Sequence, residues 1–163
     1  MRWLRVAGRD RIASGRGLGT AEKGVNVDTR LFLTLRSTLA EVERLNREFS
    51  SFADRHDLPP EVRHSVNLAL EEIVTNVICH GYKDRDDQWI TIEVELTREE
   101  MTARVEDSAP AFNPLLLPPP DVTAPLEQRR PGGLGIYLSS KVLDGLHYTR
   151  VGGKNRLDLR KRL

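Results

Sequence analysis

Glu72 and Asn76 stand four residues apart in a stretch whose apolar positions recur at helical spacing, so a carboxylate and an amide project from one helix face. The neighbouring face, through Ile73 and Val77, is apolar. A carboxylate in that setting is only partly hydrated and basic enough to take a proton. An amide oxygen suits Mg²⁺, which keeps waters and phosphate oxygens and takes few protein ligands. Asp107 closes an alternating stretch and precedes a proline-broken one. A carboxylate there can accept a hydrogen bond from an exocyclic amine such as adenine N6, and it repels the oxygen that guanine carries at the same place. Gly132, Gly133 and Gly135, with Leu134 among them, permit close backbone approaches that side chains forbid. The helix that follows offers free N–H groups and a positive dipole end to phosphate. Arg130, beside Arg129, is near enough in sequence to reach such a phosphate. A base, a metal ligand, a base-reading acid and a phosphate cradle together describe a nucleotide site.

Each segment alone has a commoner structural use. Glu72 and Asn76 fit a solvated helix face, and Asp107 fits the opening of a turn. The glycine turn lacks the Lys-Ser/Thr ending of a P-loop, and the arginines fit solvated loop charges. Glu71 points away from the Glu72 face and reads as solvated. His80 extends the Glu72–Asn76 row and reads as a helix-end contact, and Cys79 as a small core residue inside an apolar helix. Order shifts the balance toward a site. Between the acid and the glycines, residues 110–131 hold seven of the nine prolines, so regular helix or central strand is excluded there. A lid belongs at that position, where it could close over a bound triphosphate with Leu115, Leu116 and Leu117 as anchors.

The elements that must position these groups follow from periodicity. Residues 31–35 predict a first strand. A polar start at Ser37 with an early acid at Glu41 predicts a helix, and Leu39, Val42, Leu45, Phe49 and Phe52 carry it to about His56. After Leu58, Pro59 and Pro60 open a second helix, which Val62, Val66, Ala69, Ile73 and Val77 continue to a glycine cap at Gly81. Residues 89–96 and 101–106 alternate with period two and predict a hairpin. A helix over 134–143 and a closing hairpin over 147–160, turning at Gly152 and Gly153, complete a β-α-α-β-β-loop-α-β-β order. That order is α+β, a sheet with helices on one face.

Length and composition set the outer limits. A chain of 163 residues, 39% hydrophobic and 30% charged, is one domain with a sizeable core. The net charge of +1 gives no general case for nucleic acid or an anionic membrane. A lone cysteine excludes an internal disulfide and suits a cytoplasmic protein. No apolar run approaches the roughly 20 residues of a membrane span. Residues 1–30 hold seven basic against three acidic side chains, a net +4, and five glycines, without the apolar stretch of a signal peptide. Residues 1–29 therefore read as a basic flexible leader, or as the product of a start codon set too far upstream, and 30–163 as the domain.

In this order, the acid-plus-asparagine helix, strand-end aspartate, lid and glycine turn resemble the GHKL ATPase superfamily of DNA gyrase, Hsp-type chaperones, MutL proteins and histidine kinases. Within it, the segments at 72–81, 107–114 and 132–135 look like those of the small anti-sigma-factor serine kinases. The resemblance covers about residues 30–163. It implies the Bergerat two-layer α/β sandwich, a mixed, mainly antiparallel sheet backed by helices, with ATP and Mg²⁺ bound. By resemblance Glu72 matches the general base, Asn76 the Mg²⁺ ligand, Asp107 the adenine acid, and Gly133 and Gly135 the phosphate-loop glycines. Ala109 and Asn113 depart from that pattern, standing where glycine and aspartate are common. Such kinases hold a sigma factor in one state and in another phosphorylate a serine or threonine of a STAS-domain anti-anti-sigma protein. Related proteins often form homodimers. A sequestering module without phosphotransfer and the detached ATP-binding domain of a histidine kinase are the competing expectations.

Overall fold

Four of the five strands alternate buried and more open positions, the edge strand over 145–151 has no buried residue, and all five assemble into one sheet. A computed structural model describes residues 29–83, 85–116 and 134–163. The strands are β1 (Arg30–Arg36), β2 (Trp89–Leu96), β3 (Glu100–Asp107), β4 (Gly145–Val151) and β5 (Lys154–Arg162). Their spatial order is β1-β2-β3-β5-β4, with antiparallel pairing at every junction. The mixed sheet that the resemblance implied is thus antiparallel throughout the described residues. Register places Ile90, Asp107, Asn155 and Arg150 in one cross-strand row, and Ile92, Val105, Leu157 and Tyr148 in the next. Both rows face the helices, because strand side chains alternate with period two.

Three helices cover that face: α1 (Ala40–Arg55), α2 (Pro60–Asn76) and α3 (Leu134–Val142). α1 turns Val42, Leu45, Phe49 and Phe52 inward at helical spacing, and α2 does the same with Val62, Val66, Ala69, Leu70 and Ile73. Phe49, Phe52, Leu45, Leu70, Ile90 and Ile92 are fully buried between helices and sheet. Each contributes about 1.5–3 kcal/mol by leaving water. Pro60 opens α2 in its first turn, as expected, where proline loses no helical hydrogen bond. Gly152 and Gly153, both at positive φ, make the two-residue turn between β4 and β5.

Three local expectations are corrected. Ser37 does not cap α1, which begins without a side-chain cap. Its hydroxyl instead donates to the Arg85 carbonyl at 2.7 Å and accepts from the Gln88 N–H at 3.1 Å, tying the end of β1 to the approach to β2. Gly81 is not a C-cap: after Asn76 the chain continues as a wider π turn, Val77–Tyr82, and the positive φ falls on Lys83. Cys79 lies on the outer side of that turn and is exposed rather than buried. At about 100° per residue Cys79 falls about 160° from Val77 and so lies outside the apolar stripe, and apolar neighbours in sequence did not place it in the core.

Candidate functional site

The site forms where α2, its π turn, α3 and the ends of β3 and β5 meet. A cavity of about 480 Å³, its open mouth included, is lined there by Ile73, Asn76, Val77, Asp107, Ala109 and Asn155, with Phe112 and Tyr148 also on its wall. The lining is mainly apolar, which suits the faces of a flat heterocycle, with a few polar atoms to orient it.

Asp107 is 6% exposed, at the end of β3. It follows Met101, Ala103 and Val105 in the inward phase of the strand. Its Oδ1 accepts from the Ala109 N–H and from Asn155 Nδ2, each at 2.8 Å. No hydrogen bond to Oδ2 occurs among the described residues, so one carboxylate oxygen is fixed by the fold and the other remains an acceptor. Burial pushes the Asp107 pKa above the ordinary carboxylate value, against the pull of the Asn155 and Ala109 hydrogen bonds and the Arg150 charge.

The turn after Asp107 is held from two sides. Tyr82, buried at the end of the π turn, accepts the Ser108 N–H at 2.7 Å and donates to the Trp89 carbonyl at 3.0 Å. Desolvation raises the Tyr82 pKa, which keeps the phenol a donor. Gly81 packs on Ala109 so closely that an added Cβ would lie 3.0 Å from the alanine Cβ. The Ala109 methyl thus occupies space that Gly81 leaves empty. Asn113, the other departure, accepts the Leu115 N–H at 3.0 Å and starts the short 3₁₀ turn Pro114–Leu116. Of the expected lid anchors, Leu115 packs on the core, Leu116 is 81% exposed, and Leu117 lies outside the described residues.

Asn76 ends α2 and lines the cavity. Glu72, one turn earlier, is half-buried and does not line the cavity. Its side chain lies against Gly135 in the first turn of α3. A methyl group on Gly135 would overlap the Glu72 carboxylate and sit 2.7 Å from its Cγ. The expected base and one expected phosphate-loop glycine are therefore in contact. Leu134 begins α3 and is exposed, away from the cavity. Arg130, Gly132 and Gly133 lie outside the described residues. Glu71 leaves the site and accepts from Asn46 Nδ2 of α1 at 3.2 Å, while His80 is exposed.

Sequence reasoning missed Tyr82, Tyr148, Arg150 and Asn155. One signal was present: Asn155 occupies the same strand phase as Leu157 and Leu159, so an amide stands at a core position of β5. No such signal marks Tyr82, because the π turn breaks the count.

The donor set fits a magnesium adenine nucleotide. Among the described residues the cavity offers one carboxylate oxygen without a donor, in apolar surroundings, and at the start of α3 the missing Cβ of Gly135 leaves room that the Glu72 carboxylate occupies. No cluster of three or more His, Cys, Asp or Glu able to hold a metal exists among the described residues. A cation here would draw on the Asn76 amide and on oxygens of its nucleotide, the habit of Mg²⁺.

Comparison with known proteins agrees with this fold. A family profile described as "Histidine kinase-like ATPase domain" matches residues 35–161. The serine/threonine-protein kinase BtrW of Bordetella bronchiseptica is 26% identical over 98 residues, 60% of this chain and 69% of that one. The serine-protein kinase RsbW of Listeria monocytogenes is 29% identical over 99 residues, covering 58% and 63%. An anti-sigma F factor of Clostridium botulinum is 35% identical over 85 residues, covering 50% and 57%. The match thus spans only part of each relative's length. In fold, the chain superposes on the crystal structure of the RsbU and RsbW domains of a Mycobacterium tuberculosis protein with a TM-score of 0.60 at 17% identity, covering 82% of this chain and 32% of that one.

Proposed function

Because this chain belongs to the histidine kinase-like ATPase domain family, we propose that it is an ATP-dependent serine/threonine protein kinase of the anti-sigma type. It acts in the cytoplasm on a STAS-domain anti-anti-sigma partner, and through that partner it releases or recaptures a sigma factor. The observation that carries the proposal is the contact between the Glu72 side chain and Gly135 at the start of α3, one helical turn from Asn76 in the wall of the cavity that also holds Asp107, whose Oδ2 has no donor among the described residues. A nucleotide laid between these groups has its base on Asp107 and its phosphates at the start of α3.

The chemistry then falls to few groups. Asp107 accepts the adenine amine, and Ile73, Val77 and Ile136 flank the ring. The first turn of α3 offers its N–H groups to the phosphates, with Gly132, Gly133 and Arg130 adding to that contact. Asn76 would hold Mg²⁺ together with oxygens of the nucleotide, and the ion would supply charge neutralisation to the triphosphate. Glu72 takes the proton of the acceptor hydroxyl as its oxygen bonds to the γ-phosphorus. The bond from that phosphorus to the bridging oxygen breaks, leaving ADP and a phosphorylated serine or threonine. Names of the relatives, two serine kinases and an anti-sigma factor, support both the reaction and the partners.

The test is incubation of the full chain with ATP, Mg²⁺ and STAS-domain proteins from the same genome. A phosphoprotein is expected with the native chain and none with Glu72→Gln, which should still bind ATP. Nucleotide binding without phosphoprotein across all partners would reduce the chain to a sequestering module.

A further inference from the structure

Asn155 is 7% exposed and lies directly across from Asp107 in the β3–β5 register. Its amide has an unambiguous orientation. Arg150 Nη1 at 2.6 Å and the Tyr148 hydroxyl at 2.8 Å both meet one end of it. Arginine can only donate, so that end is the oxygen, Oδ1. The nitrogen therefore points at the Asp107 carboxylate at 2.8 Å, with the Ala109 and Pro110 carbonyls at 3.3 and 3.2 Å as further acceptors. Arg150 Nη1 also donates to the Ala109 carbonyl at 3.2 Å, closing the loop of contacts. A flipped amide would set its nitrogen against a guanidinium and its oxygen against a carboxylate and two carbonyls.

This arrangement has a consequence for recognition. With Nδ2 and the Ala109 N–H both on Oδ1, Asp107 cannot rotate its carboxylate without losing two hydrogen bonds. Oδ2 of this cavity-lining residue has no donor among the described residues and is left as an acceptor. We infer that Asn155, oriented by Tyr148 and Arg150, is a positioning residue that keeps Asp107 a pure acceptor and so sets a preference for a 6-aminopurine over a 6-oxopurine triphosphate. The inference rests on the nucleotide-binding reading above.

Asn155→Asp is the decisive variant, because it changes one atom at constant shape. It sets two carboxylates at hydrogen-bond distance, where both cannot be ionised together. Arg150 and Tyr148 still stabilise the new carboxylate, so the shared proton resides largely on Asp107. That proton lies between the two carboxylates, on the Oδ1 side, so the open oxygen becomes the uncharged carbonyl of an acid, which weakens both its pull on a 6-amino group and its repulsion of a 6-oxo group. Isothermal titration of the full chain with ATP and with GTP, each with Mg²⁺, reads the effect. The native chain should prefer ATP. Replacing a charge-assisted acceptor should lower the ATP:GTP affinity ratio about tenfold or more in Asn155→Asp. Tyr148→Phe, which removes one of the two donors fixing the amide, should lower it about threefold, and it decides the matter alone if Asn155→Asp does not fold. Equal weakening of both nucleotides, with the ratio unchanged, would mean that Asn155 only supports the fold and would overturn the inference. Binding of neither nucleotide by the native chain would instead overturn the nucleotide reading, and the inference with it.

Discussion

Asp107 divides its two oxygens between the fold and the cavity, and that division can be tested by one isosteric change. Asp107→Asn keeps an oxygen to accept the Ala109 and Asn155 N–H groups and presents an amide N–H to the cavity in place of an acceptor. The adenine preference should fall at least about tenfold in favour of guanine, measured as the ATP:GTP affinity ratio, while the melting temperature holds or rises. The second expectation follows from the pKa. Burial sets the folded value above the ordinary carboxylate value, so the native state keeps this proton to a higher pH than the unfolded chain does. The contribution of Asp107 to stability is therefore full below the ordinary value and lost as pH rises through the raised one. Recognition runs in the opposite direction, since the acceptor exists only above the raised pKa. The ATP:GTP ratio should fade on acidification before ordinary carboxylates titrate, and titration calorimetry at stepped pH would show it. The ratio cancels protonation of the triphosphate, which both nucleotides share. A ratio constant down to the ordinary carboxylate range would remove Asp107 from base reading.

The elements divide the work between a rigid floor and a closely fitted helix pair. Gly135→Ala adds helix propensity of about 1 kcal/mol at a position inside α3, yet its methyl would overlap the end of the flexible Glu72 side chain. Stability should therefore change by about 1 kcal/mol or less, with Glu72 displaced and phosphotransfer lost while ATP binding is weakened less. Equal transfer by native chain and variant would separate Glu72 from the reaction. At the floor, Tyr82→Phe leaves the Ser108 N–H and the Trp89 carbonyl without their partner, a cost of about 1–3 kcal/mol. Denaturant unfolding should show that loss, and the freed turn at Asp107 should weaken ATP binding with it. These elements also mark the boundary of what the sequence could reveal. Period-two alternation located β2 and β3, and helical spacing located α1 and α2, because both patterns are local. Asp107 was legible because it ends a strand, and Glu72 and Asn76 because four residues make one helical turn. Asn155 was not assigned, because its partner is 48 residues away and depends on β5 rather than β4 lying beside β3. The π turn was hidden too: it carries the chain through Gly81, which becomes a contact under Ala109 rather than a cap.

Across the whole molecule, stability and charge occupy opposite faces of the sheet. The helix side holds the buried core, where Phe49 and Phe52 of α1 share one cluster with strand residues such as Ile92 and Val94. The other side carries cross-strand ion pairs: Arg30–Glu95, Arg104–Asp158 and Arg156–Glu106, each with a 2.7 Å contact. Such pairs on a solvated face contribute about 0–1 kcal/mol each and are screened by salt within about 3 Å at 1 M. That face also exposes Phe32 and Trp89, each set across from a charged residue, Glu93 and Arg36 respectively, while the helices bury the other. The two faces should then respond differently to perturbation. Raising salt to about 1 M, where screening is nearly complete, should shift the unfolding midpoint only slightly, as should Asp158→Asn. Phe49→Ala should cost about 3–5 kcal/mol, because it opens a cavity between α1 and the sheet that the rigid strands cannot close. Chemical denaturation of both variants at low and high salt compares them directly. A large salt effect, or a loss in Asp158→Asn comparable to that in Phe49→Ala, would place the stability of this fold on its charged face. The expected result keeps the nucleotide cavity on the side that supplies the rigidity, where Asp107 and Asn155 are inward members of the same rows as the core.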